Sequence, residues 1–345
     1  MRAVTISQHG GLDRIEFRDD LPRPQLAGRN DVRVRVRAGA INRLDSFVVG
    51  GLPGVTIQPP WVLGSDATGV VEDAGDAVTT VRAGDRVVVN AGISDRSCEW
   101  CLRGEHPLCP SFHVLGEHLP GTFTEELVVP EWNLRVIPDS IPDEVAASFT
   151  LATLTAWRML VTRARLQPGE RVLIWGIGGG VAQAALQICK LIGAECWVTS
   201  SSDEKLERAR ALGADHTLNH STQDVPRTIR NATGKHGADV VVDSVGEATW
   251  SRSLHALARG GRLVSCGGTS GPSLELDVRR LFWYQWNILG STMGNDAEFD
   301  AIVAQLAAGR LHPVVDRVFP LEQGRDAFEY FASGSRFGKV VVSVV

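Results

Sequence analysis

Two stretches of this sequence hold most of its chemistry: a loop crowded with cysteines and a run of glycines between a strand and a helix. The loop reads Asp95-Arg-Ser-Cys98-Glu-Trp-Cys101-Leu-Arg-Gly-Glu-His-Pro-Leu-Cys109. Three thiolates at this spacing converge on one Zn²⁺ ion. Asp95, three residues before Cys98, supplies a fourth, oxygen ligand. Four protein ligands leave no open coordination position, so such a zinc is structural. The competing reading is three reduced cysteines in a metal-free loop, and a carboxylate in place of a thiolate weakens the site. Cys189, Cys196 and Cys266 stand singly in apolar surroundings and read as small core residues.

The glycines lie in Gly176-Ile-Gly-Gly-Gly-Val-Ala182, directly after the apolar run Arg171-Val-Leu-Ile-Trp175. A tight strand-to-helix turn lets backbone N–H groups at Gly178, Gly179, Gly180 and Val181 approach a pyrophosphate at the helix N-terminus. The flanking strand and helix are the context that such a motif requires. A turn that only packs helix on strand is the competing reading. The next strand, Glu195–Thr199, runs into Ser200-Ser-Ser-Asp-Glu-Lys205. NAD sites place an acid here for the ribose 2′-OH. Ser200 leaves room for a 2′-phosphate and Lys205 can pair with it, which favours NADP(H) over NAD(H). Ser200–Ser202 also suit a helix cap before Glu204.

The elements that must position these groups fall into two kinds. Up to about residue 135 the chain reads as strands and loops. Met1–Ile6 is a first strand, Val32–Ala38 alternates with period two, and Gly69–Glu72 and Arg86–Asn90 are short β runs. Asp143–Ala164 reads as one long helix. Strand and helix then alternate. Arg171–Trp175, Glu195–Ser200, Val240–Asp243, Arg262–Cys266 and Ile288–Ser291 are strands. Val181–Ile192, Glu204–Leu212 and Thr249–Ala258 are helices. Alternation of this kind predicts a parallel sheet covered by helices. Asp296–Ala308 is a further helix and Lys339–Val345 a last strand. The ends of the chain are therefore expected to fold together, with the nucleotide domain inserted between them.

Length and charge limit the alternatives. A chain of 345 residues is expected to form two domains. A formal charge of −5, with no basic block, argues against nucleic acid as a partner. No apolar run reaches the length of a membrane span. The N-terminus lacks the apolar core of a signal peptide, so a cytoplasmic location is expected.

These features together resemble the medium-chain dehydrogenase/reductase superfamily, which holds zinc alcohol dehydrogenases and quinone oxidoreductases. The resemblance rests on Asn42-Arg-Leu-Asp45, Leu63-Gly-Ser-Asp-Ala-Thr-Gly-Val70, Ala83-Gly-Asp-Arg-Val-Val88, the cysteine loop, Gly121-Thr-Phe-Thr-Glu125, the glycine turn with Gln187-Ile-Cys-Lys190, Ala211-Leu-Gly-Ala-Asp215, Asp243-Ser-Val-Gly246, Leu289-Gly-Ser-Thr-Met293 and Phe337-Gly-Lys-Val-Val341. It implies an α/β chain with a GroES-like β-rich catalytic domain over 1–152, completed by 295–345. A Rossmann doubly wound parallel sheet over 153–294 is inserted in it. It also implies that Thr155, Ser201, Val245, Gly267 and Lys339 join the glycine turn, Ser200 and Lys205 at the dinucleotide.

Departures from the zinc alcohol dehydrogenases are as informative. Asn42 stands where their first catalytic ligand is a Cys. Gly64-Ser65-Asp66 replaces a Gly-His-Glu triplet, and no third ligand appears near Thr150–Thr153. Asp66 alone does not hold an ion, so a catalytic zinc is not expected. Ile177 and Ala182 in the glycine turn point to the quinone-reductase branch. Without a Lewis acid nothing lowers the pKa of an alcohol, whereas a quinone or an activated alkene accepts hydride unaided. NADPH-dependent reduction of such a small molecule is the expected activity, with Asn42, Asp45, Asp66 and His118 as candidate catalytic residues. Phe47 occupies the position where relatives often carry a Tyr. Of the tryptophans, residues 61, 132, 157, 283 and 286 are candidates for an apolar pocket or for core packing. Two other readings stay open. One is an alcohol or aldehyde dehydrogenase whose atypical catalytic zinc uses His118 and Asp66. The other is an NADPH-binding protein without enzymatic activity. A homodimer or homotetramer is expected, with Leu274–Ser291 pairing across a two-fold axis.

Overall fold

The computed structural model describes residues 1–344. Two compact units are present, Met1–Ala152 with Gly294–Val345, and Thr153–Met293.

The first unit is built around a seven-stranded sheet. Its order is Leu134–Val136, Arg86–Val89, Asp66–Ala74, Asp31–Ala40, Lys339–Ser343, Val315–Pro320, with Glu126–Pro130 also paired to Asp31–Ala40. The alternation of Val32, Val34 and Val36 with arginines puts the valines in the core and leaves Arg35 exposed. Three strands from distant parts of the sequence meet at one level. Ala40 pairs with Asp66 and with Val341. The last strand therefore closes the first unit's sheet, as the chain order implies. It runs to Ser343, and Val345 lies outside the described residues.

The second unit carries a six-stranded parallel sheet. Its order is His216–Asn219, Glu195–Ser200, Arg171–Ile174, Ala238–Asp243, Leu257–Ser265, Asn287–Gly290. The chain steps outward from Arg171–Ile174 in one direction, then returns and steps outward in the other. Such a reversal leaves a crevice at the carboxyl ends of the two central strands, where doubly wound sheets bind dinucleotides. Val172, Leu173 and Ile174 are fully buried, as a central strand requires. Trp175, Trp197, Trp250 and Trp286 pack in one core cluster with Leu173 and Leu263. Trp61 is likewise buried, but Trp283 is 68% exposed and belongs to no core. Cys189 and Cys196 are buried, as small core residues should be, and Cys266 is only partly so.

The structure corrects some of the expected elements. Asp143–Ala164 is not one helix. It divides into Asp143–Ala147, Thr150–Trp157 and a wider turn over Arg158–Arg163. Ser148 Oγ donates back to the Glu144 carbonyl, and the new helix start at Thr150 turns its donors elsewhere. The strand His216–Asn219 and the helices Val225–Ala232 and Val278–Tyr284 are further elements, and Val225–Ala232 buries Val225 and Ile229, one turn apart. Leu257 and Ala258 open a strand rather than close a helix. No helix among the described residues is long and apolar enough to cross a membrane.

Candidate functional site

In the first unit a buried polar cluster gathers Asn42, Asp45, Ser65, Asp66, Thr150 and Lys339, none more than 7% exposed. Asn42 precedes the helix Arg43–Gly50 and Asp45 lies in its first turn. The Asn42 backbone N–H donates to Asp45 Oδ2 at 2.6 Å, satisfying a donor that a helix start otherwise leaves unpaired. Ser65 and Asp66 enter through Gly64, whose φ of +98° suits glycine. A Cβ there would lie 2.6 Å from Phe123 Cδ1. Lys339 arrives on the last strand.

Asp66 is the hub. Its Oδ1 accepts from Thr150 Oγ1 (2.6 Å) and from Leu151 N (2.7 Å). Its Oδ2 accepts from Asn42 Nδ2 (2.9 Å) and Lys339 Nζ (2.8 Å). The helix break at residues 148–149 thus frees a backbone N–H and a hydroxyl for this carboxylate. Lys339 Nζ also donates to Asn42 Oδ1 at 2.6 Å, closing a three-membered ring of side chains. Asp45 differs. It accepts only from Asn42 N and from Ser65 Oγ, at 3.1 Å. Burial pushes its carboxyl up to about 7, and the nearby Asp66 charge adds to the shift.

The four residues expected to act at the reaction centre are Asn42, Asp45, Asp66 and His118, and the first three meet here. His118 is in none of these bonds. Its Nδ1 accepts from Val114 N at 3.3 Å, and its ring packs edge-on against His113. Lys339, expected beside the dinucleotide, has two of its hydrogen bonds inside the cluster. Ser65 and Thr150 were visible only as departures from a zinc-ligand pattern, yet Ser65 donates to Asp45 and Thr150 to Asp66.

A catalytic zinc does not fit this set. Asn42 and Ser65 are weak zinc ligands. Both oxygens of Asp66 are already committed to four donors, one of them an ammonium. An ion here would have to displace Lys339 against charge repulsion. The reading with His118 and Asp66 as zinc ligands would require Asp66 to give up these donors and draws on a His118 that lies outside the cluster's bonds.

The cysteine loop does fit zinc. The ligand atoms of Asp95, Cys98, Cys101 and Cys109 all lie within 4.8 Å of one another. A zinc tetrahedron with bonds of about 2.3 Å has edges of about 3.8 Å. The Cys98 and Ser97 backbone N–H groups donate to Asp95 Oδ1 at 2.9 and 2.8 Å and hold its carboxyl well below the usual carboxylate range. Asp95 is therefore ready as an anionic ligand. Arg96, next to it at φ +61°, sends its guanidinium to Asp296, the first residue of the helix Asp296–Ala307, and to His106. The loop is thereby fastened to the returning chain.

In the second unit the glycine turn has the form that a pyrophosphate needs. Gly176 adopts φ +70°, Ile177 N donates to Thr199 O, and the thirteen-residue helix Gly180–Ile192 starts behind Gly179 with no side-chain cap. A helix start of this kind can offer its first-turn N–H donors to an anion. Val181 lies within this first turn. Ser200 ends the adjacent strand and its Oγ accepts from Ser202 N, while Ser202 Oγ caps the helix Asp203–Ala211 that carries Lys205. Ser201 lies between them. Beyond the switch point, buried Asp243 accepts from Val245 N, Gly246 N, Thr249 Oγ1 and Ser253 Oγ. This fixes the Val245 loop at the carboxyl end of the sheet, and Ser270 Oγ ties the Gly267–Gly271 loop to Val245 O. Thr155 is buried in the helix Thr150–Trp157.

Comparison with known proteins agrees with this layout. Residues 28–139 match the alcohol dehydrogenase GroES-like domain, and 180–308 the zinc-binding dehydrogenase domain. A zinc-type alcohol dehydrogenase-like protein of Schizosaccharomyces pombe is 33% identical, covering 100% of this chain and 99% of its own. A 2-haloacrylate reductase of a Burkholderia species is 30% identical over 99% of this chain and 98% of its own. A crystal structure of an NAD-dependent alcohol dehydrogenase superposes with a TM-score of 0.95 at 42% identity, covering 100% of both chains.

Proposed function

The chain belongs to the medium-chain dehydrogenase/reductase family of oxidoreductases, and on that premise we propose that it reduces a quinone or an activated alkene at a centre without metal. The observation that carries this reading is the ring of Lys339, Asn42 and Asp66. An internal ammonium holds the donors that a metal would need. An alcohol finds no Lewis acid there, so its hydroxyl stays protonated and hydride does not leave. An electron-poor alkene or quinone needs no such activation. The Burkholderia relative is named for a substrate of this kind.

When bound, a reduced nicotinamide supplies the hydride. The Gly176–Val181 turn and the start of its helix would hold the pyrophosphate. The Val245 and Gly267 loops would flank the rest of the dinucleotide. Ser200, in the place of an acid, supports NADPH as the donor, with Lys205 close by in sequence to meet a 2′-phosphate. The zinc at Asp95, Cys98, Cys101 and Cys109 is read as structural.

The competing reading, an alcohol dehydrogenase with a second zinc, is favoured by the name of the structural relative at 42% identity. One experiment separates the two. NADPH and NADH oxidation is followed with a panel of quinones, enones, enals and aldehydes, and alcohol oxidation with NADP⁺ and NAD⁺. Zinc is counted in the same sample. One zinc per chain, turnover of quinones or enones, and preference for NADPH are expected. Two zincs, with alcohol oxidation lost on chelation, would reverse the assignment. Dinucleotide binding with no turnover would favour a non-enzymatic role.

We also propose that the protein is a homo-oligomer through its open sheet edge. The strand Asn287–Gly290 ends the parallel sheet, and the helix Val278–Tyr284 before it exposes Val278, Phe282 and Trp283 at 64, 63 and 68%. An apolar face beside an unpaired strand edge is a poor surface to leave in water. Ile288→Lys with Trp283→Glu is expected to halve the mass in sedimentation equilibrium. A variant with unchanged mass would place the interface elsewhere.

A further inference from the structure

We propose that Arg96 is the positioning residue of the cysteine loop: its guanidinium sets the spacing of the four ligands by joining His106 to Asp296, and it keeps His106 out of the ligand set. This rests on the reading that zinc sits at Asp95, Cys98, Cys101 and Cys109. Arg96 carries two costs. Its φ of +61° is left-handed, a region that few residues other than glycine enter. Its Nε is buried without a partner among the described residues. Strain kept at one residue points to a requirement that its surroundings impose. The far end of the side chain shows what that requirement is. Nη1 donates to His106 Nε2 at 2.9 Å and to Asp296 Oδ2, and Nη2 donates to Asp296 Oδ1 at 3.2 Å.

These bonds tie the two arms of the loop. On the first arm Asp95 precedes Arg96 directly, and its Oδ1 is fixed by Ser97 N and Cys98 N. On the second arm the His106 carbonyl accepts from Cys109 N at 3.0 Å. One guanidinium therefore sets the distance from Asp95 and Cys98 to Cys109, with the start of the helix Asp296–Ala307 as its anchor. The side chains of Arg96, His106 and Asp296 are 24, 13 and 27% exposed, so solvent screens the contact only in part.

The same contact decides the fourth ligand. Imidazole binds zinc well, and His106 lies between Cys101 and Cys109 in the chain. It nevertheless stays outside the converging group. Two donors face its ring, Arg96 Nη1 at 2.9 Å on Nε2 and Asp296 N at 3.4 Å on Nδ1. A neutral imidazole accepts at one nitrogen only, and the shorter bond takes it. The ring hydrogen then sits on Nδ1, 3.5 Å from Asp296 Oδ1. With its lone pair on Arg96, Nε2 has nothing to offer a metal, and Asp95 is left as the fourth ligand.

The test reads zinc affinity by competition with a chelating dye, not turnover. Arg96→Ala, Arg96→Gly and Asp296→Ala are each expected to raise the zinc Kd about ten- to a hundredfold, the usual effect of losing a group that orients metal ligands. The double variant Arg96→Ala/Asp296→Ala should be no weaker than Arg96→Ala, because both changes break one contact. Glycine suits a left-handed backbone and alanine does not, so equal losses assign the effect to the guanidinium. A wild-type Kd in Arg96→Gly or in Asp296→Ala, or additive losses in the double variant, overturns the proposal. Nitrogen NMR of zinc-loaded, histidine-labelled wild type needs no change at Arg96. The His106 signal, assigned by its absence from His106→Gln, should show the hydrogen on Nδ1, and a hydrogen on Nε2 overturns the proposal as well. A wild type that binds no zinc overturns the zinc reading and this one together.

Discussion

Replacing Lys339 with methionine is expected to lower the unfolding free energy by about 3–5 kcal/mol at neutral pH, the usual loss when one partner of a buried ion pair is removed. The two side chains are 6% and 0% exposed at a separation of 2.8 Å. Without the ammonium, Asp66 keeps three neutral donors but no compensating charge, and Asn42 Oδ1 loses its donor. Chemical denaturation measures the loss. The double variant Lys339→Met/Asp66→Asn removes both charges and should regain much of the loss. If Lys339→Met alone is as stable as wild type, Lys339 is not the cation that balances Asp66. Activity on enones should fall with it, because Asn42 and Asp66 lose their shared anchor.

Stripping zinc is the second large effect. A ligand held at a thousandfold above its dissociation constant stabilises the folded state by about 4 kcal/mol. For a unit of this size that corresponds to a fall in Tm of about 8–16 °C on chelation. The Asp95–Cys109 loop has little apolar core of its own, since Leu102 and Leu108 are exposed, and apart from the metal it is held by the Arg96 contacts to Asp296 and His106. Its loss should also slacken the Arg96–Asp296 contact and, with it, the start of the helix Asp296–Ala307. Cys101→Ser is expected to copy the chelated protein and to be indifferent to further chelator. Asp95→Cys should hold the metal more tightly. A Tm indifferent to chelator, or well under one zinc per chain, would show that the loop stands without metal.

The reach of the sequence was uneven, and the reasons are physical. The glycine turn and the alternating strands and helices of the second unit are set by local chemistry. Gly176 needs a positive φ, and strand or helix periods show within a few residues. The cysteine loop is equally local, and its four ligand atoms do converge. The polar cluster was legible only in part. Asn42, Asp45 and Asp66 were suspect from their positions, but their bonds depend on Thr150 and Lys339, which lie far off in the chain. Nothing near Thr150 signals that a helix breaks there to feed Asp66. A continuous helix over 143–164 was the natural reading of those residues, because a break imposed by a distant carboxylate leaves no local trace. The roles of Asp45 and Asp66 depended on the same distant groups. Two aspartates look alike in sequence, and only their partners tell a carboxylate paired with a buried lysine from one left with two neutral donors.

The strand pairing of Ala38–Ala40 with Val341–Ser343 sets a clock on synthesis. At roughly 5–20 residues per second, about 15–60 s separate the two strands on the ribosome. The inserted unit, with its own sheet and core, emerges complete in that interval. The sheet of the first unit meanwhile waits with one edge open and Asp66 without its ammonium. A nascent chain in that state is a substrate for chaperones and a hazard for edge-to-edge association. A premature stop a few residues before Lys339 would therefore do more harm than its length suggests, since it would release a chain whose second unit is folded and whose first cannot close.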